Sequence, residues 1–257
     1  MSERGVGALL AGWVVATAGL LGAGAGAGAG PDPAAMLNRA DAPHDAFPEG
    51  VIRLRVAVNE RGKPTVESLL ELFVKGNDKS LCIFLEGKQQ GRKILTDGDR
   101  VWLIVPGTKK PVPVSKTQRL MGAASFGDIA RLRFADDFEA TLVPGVETVA
   151  SAHRDVPCRV LQLAAKRRGA PYPAAFLWTG RDDGLARKLR LKLASGKDAK
   201  EVLFTEYGSD DRLKAMEIRD LLAGGGEHAT IVSFLGYERR TLDPAIFTPE
   251  GARSLGR

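Results

Sequence analysis

The chain has 257 residues, of which 44% are apolar and 26% charged. That balance excludes global disorder and leaves room for one large β domain or two smaller ones. The net charge of +6 comes from 37 basic and 31 acidic residues spread along the chain, without an aromatic-interleaved basic stripe, so nucleic acid is excluded as a partner.

At the N-terminus, Arg4 precedes an apolar run from Val6 to Leu21, and the small-residue stretch GAGAGAGAG follows. This order of charged, apolar and small residues predicts a cleaved secretory signal over residues 1–29 and export to the periplasm. The apolar run is shorter than the ~20 residues of a membrane span. Residues 30–48 carry Pro31, Pro33, Pro43 and Pro48 and read as a linker, with one short helix around Ala34–Arg39. A single domain is expected over 49–257.

From Val51 onward a two-residue period dominates. VIRLRVAV puts Ile52, Leu54, Val56 and Val58 on one face and Arg53 and Arg55 on the other. TVESLLELFVK and KSLCIFLE continue the pattern. GRKILTDGDRVWLIVPG predicts a hairpin reversing at Asp97-Gly98. KKPVPVS predicts an edge strand, because proline cannot donate to a ladder. Further strands are expected in DFEATLV, VETVASAHRD, PCRVLQLAAKR, PAAFLWTG, ARKLRLKLA, AKEVLFTEYG, DRLKAMEIRDLL and HATIVSFLGYE, with a turn at Pro144-Gly145. The even spacing of turns means an antiparallel meander. The fold class is mainly β: a large curved antiparallel sheet, an unclosed half barrel of about 11 strands, with short helices covering its open concave side.

One segment breaks the alternation. In SFGDIARLRF, Ser125 can cap a helix, and Phe126, Ile129 and Leu132 fall on one of its faces. A helix this short is not stable alone, so its apolar stripe must be buried on the sheet. It is either a permanent plug or a displaceable lid.

Reactive constellations are sparse. His44, His153 and His228 lack metal-ligand partners at helical or strand spacing. No GxSxG elbow is present. The pairs Asp136-Asp137, Asp182-Asp183 and Asp210-Asp211 sit in turns, where Asp favours the geometry. An enzyme is not expected, and no cofactor is implied. The exported compartment permits a disulfide between Cys82 and Cys158, yet both sit in apolar runs that also suit free buried thiols.

The run DGDRVWLIVPGTKKPVPVSKTQRLMGAASFGDIARL resembles the outer-membrane lipoprotein-sorting protein family, the LolA/LolB-like superfamily. The matching residues are Asp99, Trp102, Leu103, Pro106, Lys109, Lys110, Met121, Gly122, Ser125, Phe126 and Asp128. Ile104 stands where the family usually has an aromatic, and Val112 and Val114 stand where it often has Arg or Lys. The resemblance extends over about Val51 to Leu255. It implies a curved, unclosed barrel whose apolar cavity receives acyl chains of a lipid or lipoprotein. It further implies periplasmic shuttling toward the outer membrane, an inner-membrane export pump as partner, transient membrane-surface contact and a monomer. The same shape occurs in a periplasmic regulator of an anti-sigma factor, which implies the alternative of a regulatory binding module. The expected cavity and lid residues are Trp102, Ile104, Met121, Phe126, Ile129, Leu132, Phe176 and Trp178, with Leu161 and Leu203 as further candidates.

Overall fold

The structure is a computed structural model that describes residues 30–45, 47–115, 119–125, 133–150, 154–168, 170–222 and 228–256. Two meanders build it. The first contains β1 (Glu49–Glu60), β2 (Val66–Lys75), β3 (Lys79–Phe84), β4 (Lys93–Asp97), β5 (Arg100–Ile104) and β6 (Val112–Val114). The second contains β9 (Phe138–Ala150), β10 (Asp155–Ala165), β11 (Ala174–Gly180), β12 (Ala186–Lys192), β13 (Asp198–Tyr207), β14 (Leu213–Asp220) and β15 (His228–Arg239). Antiparallel pairing of β1 with β15 fuses them into one 13-stranded sheet, ordered β6-β5-β4-β3-β2-β1-β15-β14-β13-β12-β11-β10-β9. β6 and β9 are its two unjoined edges, so the sheet is unclosed. Between the meanders sits a small separate hairpin, β7 (Arg119–Met121) and β8 (Ala124–Ser125).

Alternation defines two faces. Ile52, Leu54, Val56 and Val58 of β1 point to the inner one, and Arg53 and Arg55 are exposed on the outer one. The inner face is one continuous apolar core that reaches from Val101 on β5 to Leu142 on β9. Arg167, after β10, pairs with Asp99 of the β4–β5 turn, which joins segments near opposite edges of the sheet. This sheet therefore curls, as broad twisted sheets do.

Pro113 lies in β6, at the edge where its missing N–H costs no ladder bond. The β4–β5 hairpin pairs Asp97 with Arg100, so the reversal falls on Gly98-Asp99, one residue later than expected. Gly98 has φ +58°, which suits a tight turn with glycine in its first central position. The turn expected at Pro144-Gly145 is instead a bulge inside β9. Cys158 pairs with Glu147 and Val160 with Val143, and the strand continues through the irregularity.

The region read as a linker forms a longer helix, α1 (Pro33–Asp45). Asp32 caps it, accepting from the Ala34 N–H at 3.1 Å and the Ala35 N–H at 3.2 Å. Pro33 occupies the first turn, where its missing N–H is harmless. α2 (Phe134–Asp137) is a single turn leading into β9. At the C-terminus a 3-10 turn (Pro244–Phe247) precedes α3 (Pro249–Ser254), whose Gly251 N–H is accepted by Thr248 Oγ1 at 3.1 Å.

Candidate functional site: the covered inner face

Among the described residues, two thin elements cover much of the inner face. One is α1, whose Leu37 and Ala40 are buried in the core below it. Arg39 holds this helix at its side. Its Nε donates to the Asp183 carbonyl at 3.0 Å, and Nη2 donates to Asp211 Oδ2 at 2.7 Å. Asp211 has positive φ, +61°, which Asp tolerates in turns, so the latch ends on a turn residue. Asp41, only 1% exposed, accepts from the Phe134 N–H at 2.8 Å and the Ala135 N–H at 2.7 Å, which joins α1 to α2. Phe134 then packs edge-on against Phe204 of the inner face, with ring centroids 6.2 Å apart.

The other cover is the β7–β8 hairpin. Met121, Ala123 and Ala124 are all buried in the inner core. Its tip rests on β1 and β15. Gly122, at φ +53°, comes so close that an added Cβ would lie 2.5 Å from Thr230 Oγ1 and 2.6 Å from Val58 Cγ1. The Thr230 hydroxyl accepts from the Ala123 N–H at 2.9 Å and donates to the Met121 carbonyl at 3.5 Å. Thr230 is fully buried in a wall otherwise built from Val58, Ile218, Val202, Leu189 and Leu177. One wall hydroxyl thus satisfies the backbone of the element inserted against it, which a buried amide requires.

Polar groups draw the two meanders together beside α2. Arg167, after β10, forms an ion pair with Asp99 of the β4–β5 turn at 2.5 Å and with Asp137 at 3.6 Å. Arg133 Nη1 donates to Asn77 Oδ1 in the β2–β3 turn at 2.9 Å. Tyr207 and Tyr237 donate to the Ala186 and Leu213 carbonyls at 2.8 Å and 2.7 Å. Burial pushes both phenols up.

The structure separates the residues expected to form one cavity. Met121 lies in the inner core. Trp102 and Ile104 lie on the outer face, in a cluster with Leu81, Leu95, Leu242 and Phe247 beneath the C-terminal tail. Phe176 and Trp178 lie in a third cluster with Val160 and Cys158, where Lys188 Nζ stands 3.8 Å above the Trp178 ring and Glu147 accepts from its Nε1 at 2.7 Å. Their strand neighbours Val101, Leu103, Ala175 and Leu177 are the ones that face inward. The reason is the strict alternation of a strand. Of the further candidates, Leu161 is inner core. Phe126, Ile129 and Leu132 lie outside the described residues.

Sequence reasoning passed over Leu37, Asp41 and Thr230. The signal for Thr230 was Gly122, a glycine in a turn that needs close approach. Cys82 and Cys158 are both free, the first in the inner core and the second in the third cluster. Burial pushes their thiols up to about 12 and about 11. A pocket of about 80 Å³ lies beside Arg154, Asp155, Arg181 and Asp182, and its charged rim does not suit an acyl chain. Among the described residues, no group of His, Cys, Asp and Glu is placed to hold a metal.

A family model with the description "Uncharacterized protein" matches residues 76–252, more than half of the chain. The chain belongs to that family. The search of curated proteins found no match. Among solved structures, a LolA superfamily protein from Nitrosomonas europaea aligns with TM-score 0.71 and 24% identity, covering 86% of this chain and 99% of that one. A DUF1329 family protein from Desulfovibrio piger aligns with TM-score 0.71 and 20% identity, over 86% and 99% of the two chains. A domain described as outer membrane lipoprotein-sorting, from Vibrio parahaemolyticus, aligns with TM-score 0.66 and 16% identity, over 84% and 97%. The fold of this family member is therefore LolA-like. The inner face is the feature this fold encloses.

Proposed function

We propose that the chain is a periplasmic carrier that takes acyl chains of a lipid or lipoprotein beneath its inner face. It moves them toward the outer membrane. The observation that carries this reading is the asymmetry of the covers. Among the described residues, an apolar wall 13 strands wide is covered by α1 with the single turn α2 and by one short hairpin. Both covers are pinned at a few polar points, Arg39, Asp41 and Thr230.

An acyl chain entering this space gains roughly 0.8 kcal/mol per buried CH₂. It must offset the re-exposure of Met121, Ala123 and Ala124 and the loss of the Thr230 bonds. An opening cost of a few kcal/mol lets cargo shift the populations. Met121 and Met216 supply side chains that adapt to different cargo shapes. In this reading the lining runs through Val101, Leu103, Ala175 and Leu177. No bond is made or broken, so no catalytic group is assigned. The protein acts as a monomer that exchanges cargo with an inner-membrane pump.

Titration with a fluorescent long-chain fatty acid tests this. Saturable binding, displaced by phospholipid, is expected. Absence of uptake together with absence of co-purified lipid would overturn the carrier reading.

A further inference from the structure

The outer corner of the sheet beside β6 gathers several cations at the meeting of three segments. Three segments meet there: the loop before β4, the β5–β6 loop and α3. A Cβ on Gly91 would lie 2.9 Å from Pro106 Cγ, which shows how closely the first two loops pack. Arg253 of α3 donates through Nη1 to the Lys109 carbonyl at 3.1 Å, which joins the third. Lys93 anchors the same helix from below, donating to the Ala252 carbonyl at 2.9 Å and to the Leu255 carbonyl.

This corner carries Arg92, Lys109, Lys110 and Arg253. Among the described residues none of the four is in an ion pair. Arg92 is bonded to the neutral Gln89 side chain, and Arg253 to a carbonyl. On the outer face of β12–β14, in contrast, Arg190, Lys192 and Arg219 are all neutralised by Asp198, Glu201 or Glu217. Lys109 and Lys110 are exposed, between exposed Pro106 and Pro113. Val112 of the edge strand β6 is 49% exposed, but its pairing with Leu103 puts it on the inner side of the sheet, away from this corner.

We infer that this corner is the surface by which the protein docks on an anionic phospholipid bilayer. Unpaired cations are drawn to the negative surface potential of such a bilayer. An acidic protein partner would favour fixed, geometrically matched cations. The two lysines here sit on a proline-rich loop and, among the described residues, have no side-chain partners to fix them, which suits a diffuse field. The inference rests on the carrier reading, since a carrier must meet the membranes it serves.

Co-sedimentation of the full chain with vesicles tests it. Parent and variants share the apolar run at Val6–Leu21, so that run contributes equally to all. Vesicles with 30% phosphatidylglycerol should recruit the parent at low salt and release it at high salt. K109A/K110A should weaken recruitment ~30-fold, at about one kcal/mol per lysine. Equal binding to pure phosphatidylcholine vesicles, or unchanged recruitment of the double variant, would overturn the inference. So would tighter capture by polyglutamate than by the anionic vesicles. The fluorescent fatty acid is measured in parallel. Vesicle recruitment without fatty-acid binding removes the carrier reading and keeps the surface. Fatty-acid binding without vesicle recruitment does the reverse.

Discussion

Gly122 and Thr230 meet across the inner space at a distance that leaves no room for a side chain: a Cβ on Gly122 would fall 2.5 Å from Thr230 Oγ1. The contact fixes where the hairpin ends and which strand it rests on. It also combines two demands on one residue, a left-handed backbone and a missing Cβ. Gly122→Ala therefore lowers stability by about 1–3 kcal/mol, from backbone strain and overpacking together. Urea denaturation checks this. An unchanged midpoint would mean that the tip does not sit against Thr230 in solution.

Thr230 itself holds the hairpin through hydrogen bonds. Thr230→Val keeps the shape and removes the acceptor for the Ala123 N–H. A buried amide left unpaired costs about 1–3 kcal/mol. Thr230→Ser keeps the hydroxyl, so its loss should be smaller. Denaturation of the two variants side by side checks this, and equal losses would count against the hydrogen bond as the cause.

Much of this architecture is written in the alternation. Ile52 to Val58 fix one strand and its inner face, and Pro113 marks an edge. What alternation cannot show is which face is inner where both are apolar. In β3, Leu81 and Ile83 point outward while Cys82 and Phe84 point inward, and all four are buried. The same ambiguity made Trp102, Ile104, Phe176 and Trp178 attractive as cavity residues. They are bulky because the outer face is also covered there, by the C-terminal tail over Trp102 and by cations over Trp178. α1 is legible only as the short helix expected around Ala34–Arg39, and its full length Pro33–Asp45 is not, for another reason. Its prolines resemble a linker, and its burial depends on Leu37, Ala40 and the remote partners of Asp41. Such tertiary support leaves little local periodicity.

Asp41 replaces a local cap for α2 by accepting two of its N–H groups. Asp41→Ala leaves both donors unpaired and should cost roughly 1–2 kcal/mol, the range for a lost helix cap. Because Asp41 sits on α1, that helix should also loosen. Limited proteolysis checks this: cleavage within residues 33–45 should become faster in the variant, and an unchanged rate would contradict the link.

The two thiols make stability depend on alkaline pH. Folded Cys82 and Cys158 keep their protons up to about 12 and about 11. An unfolded thiol releases its proton near ~8.5. Between these values the folded state binds more protons than the unfolded state, so stability falls as pH rises. Below that window the contribution of both thiols is fully present. Urea midpoints at pH 7.5 and 9.5 should therefore differ, and Cys82→Ala should shrink the difference. Both thiols should also resist alkylation until the chain is unfolded. Rapid labelling of the folded chain would contradict their burial.

Hydrogen exchange with and without a long-chain acyl lipid tests the carrier account most directly. If cargo takes the place of the hairpin, the Ala123 amide loses Thr230 and should exchange faster when lipid is added. β14 and β15, which form the wall, should stay protected around Met216 and Val232. Bound lipid with unchanged exchange at Ala123, or no bound lipid at all, would contradict the proposal that the inner face is the cargo site and the hairpin its displaceable cover.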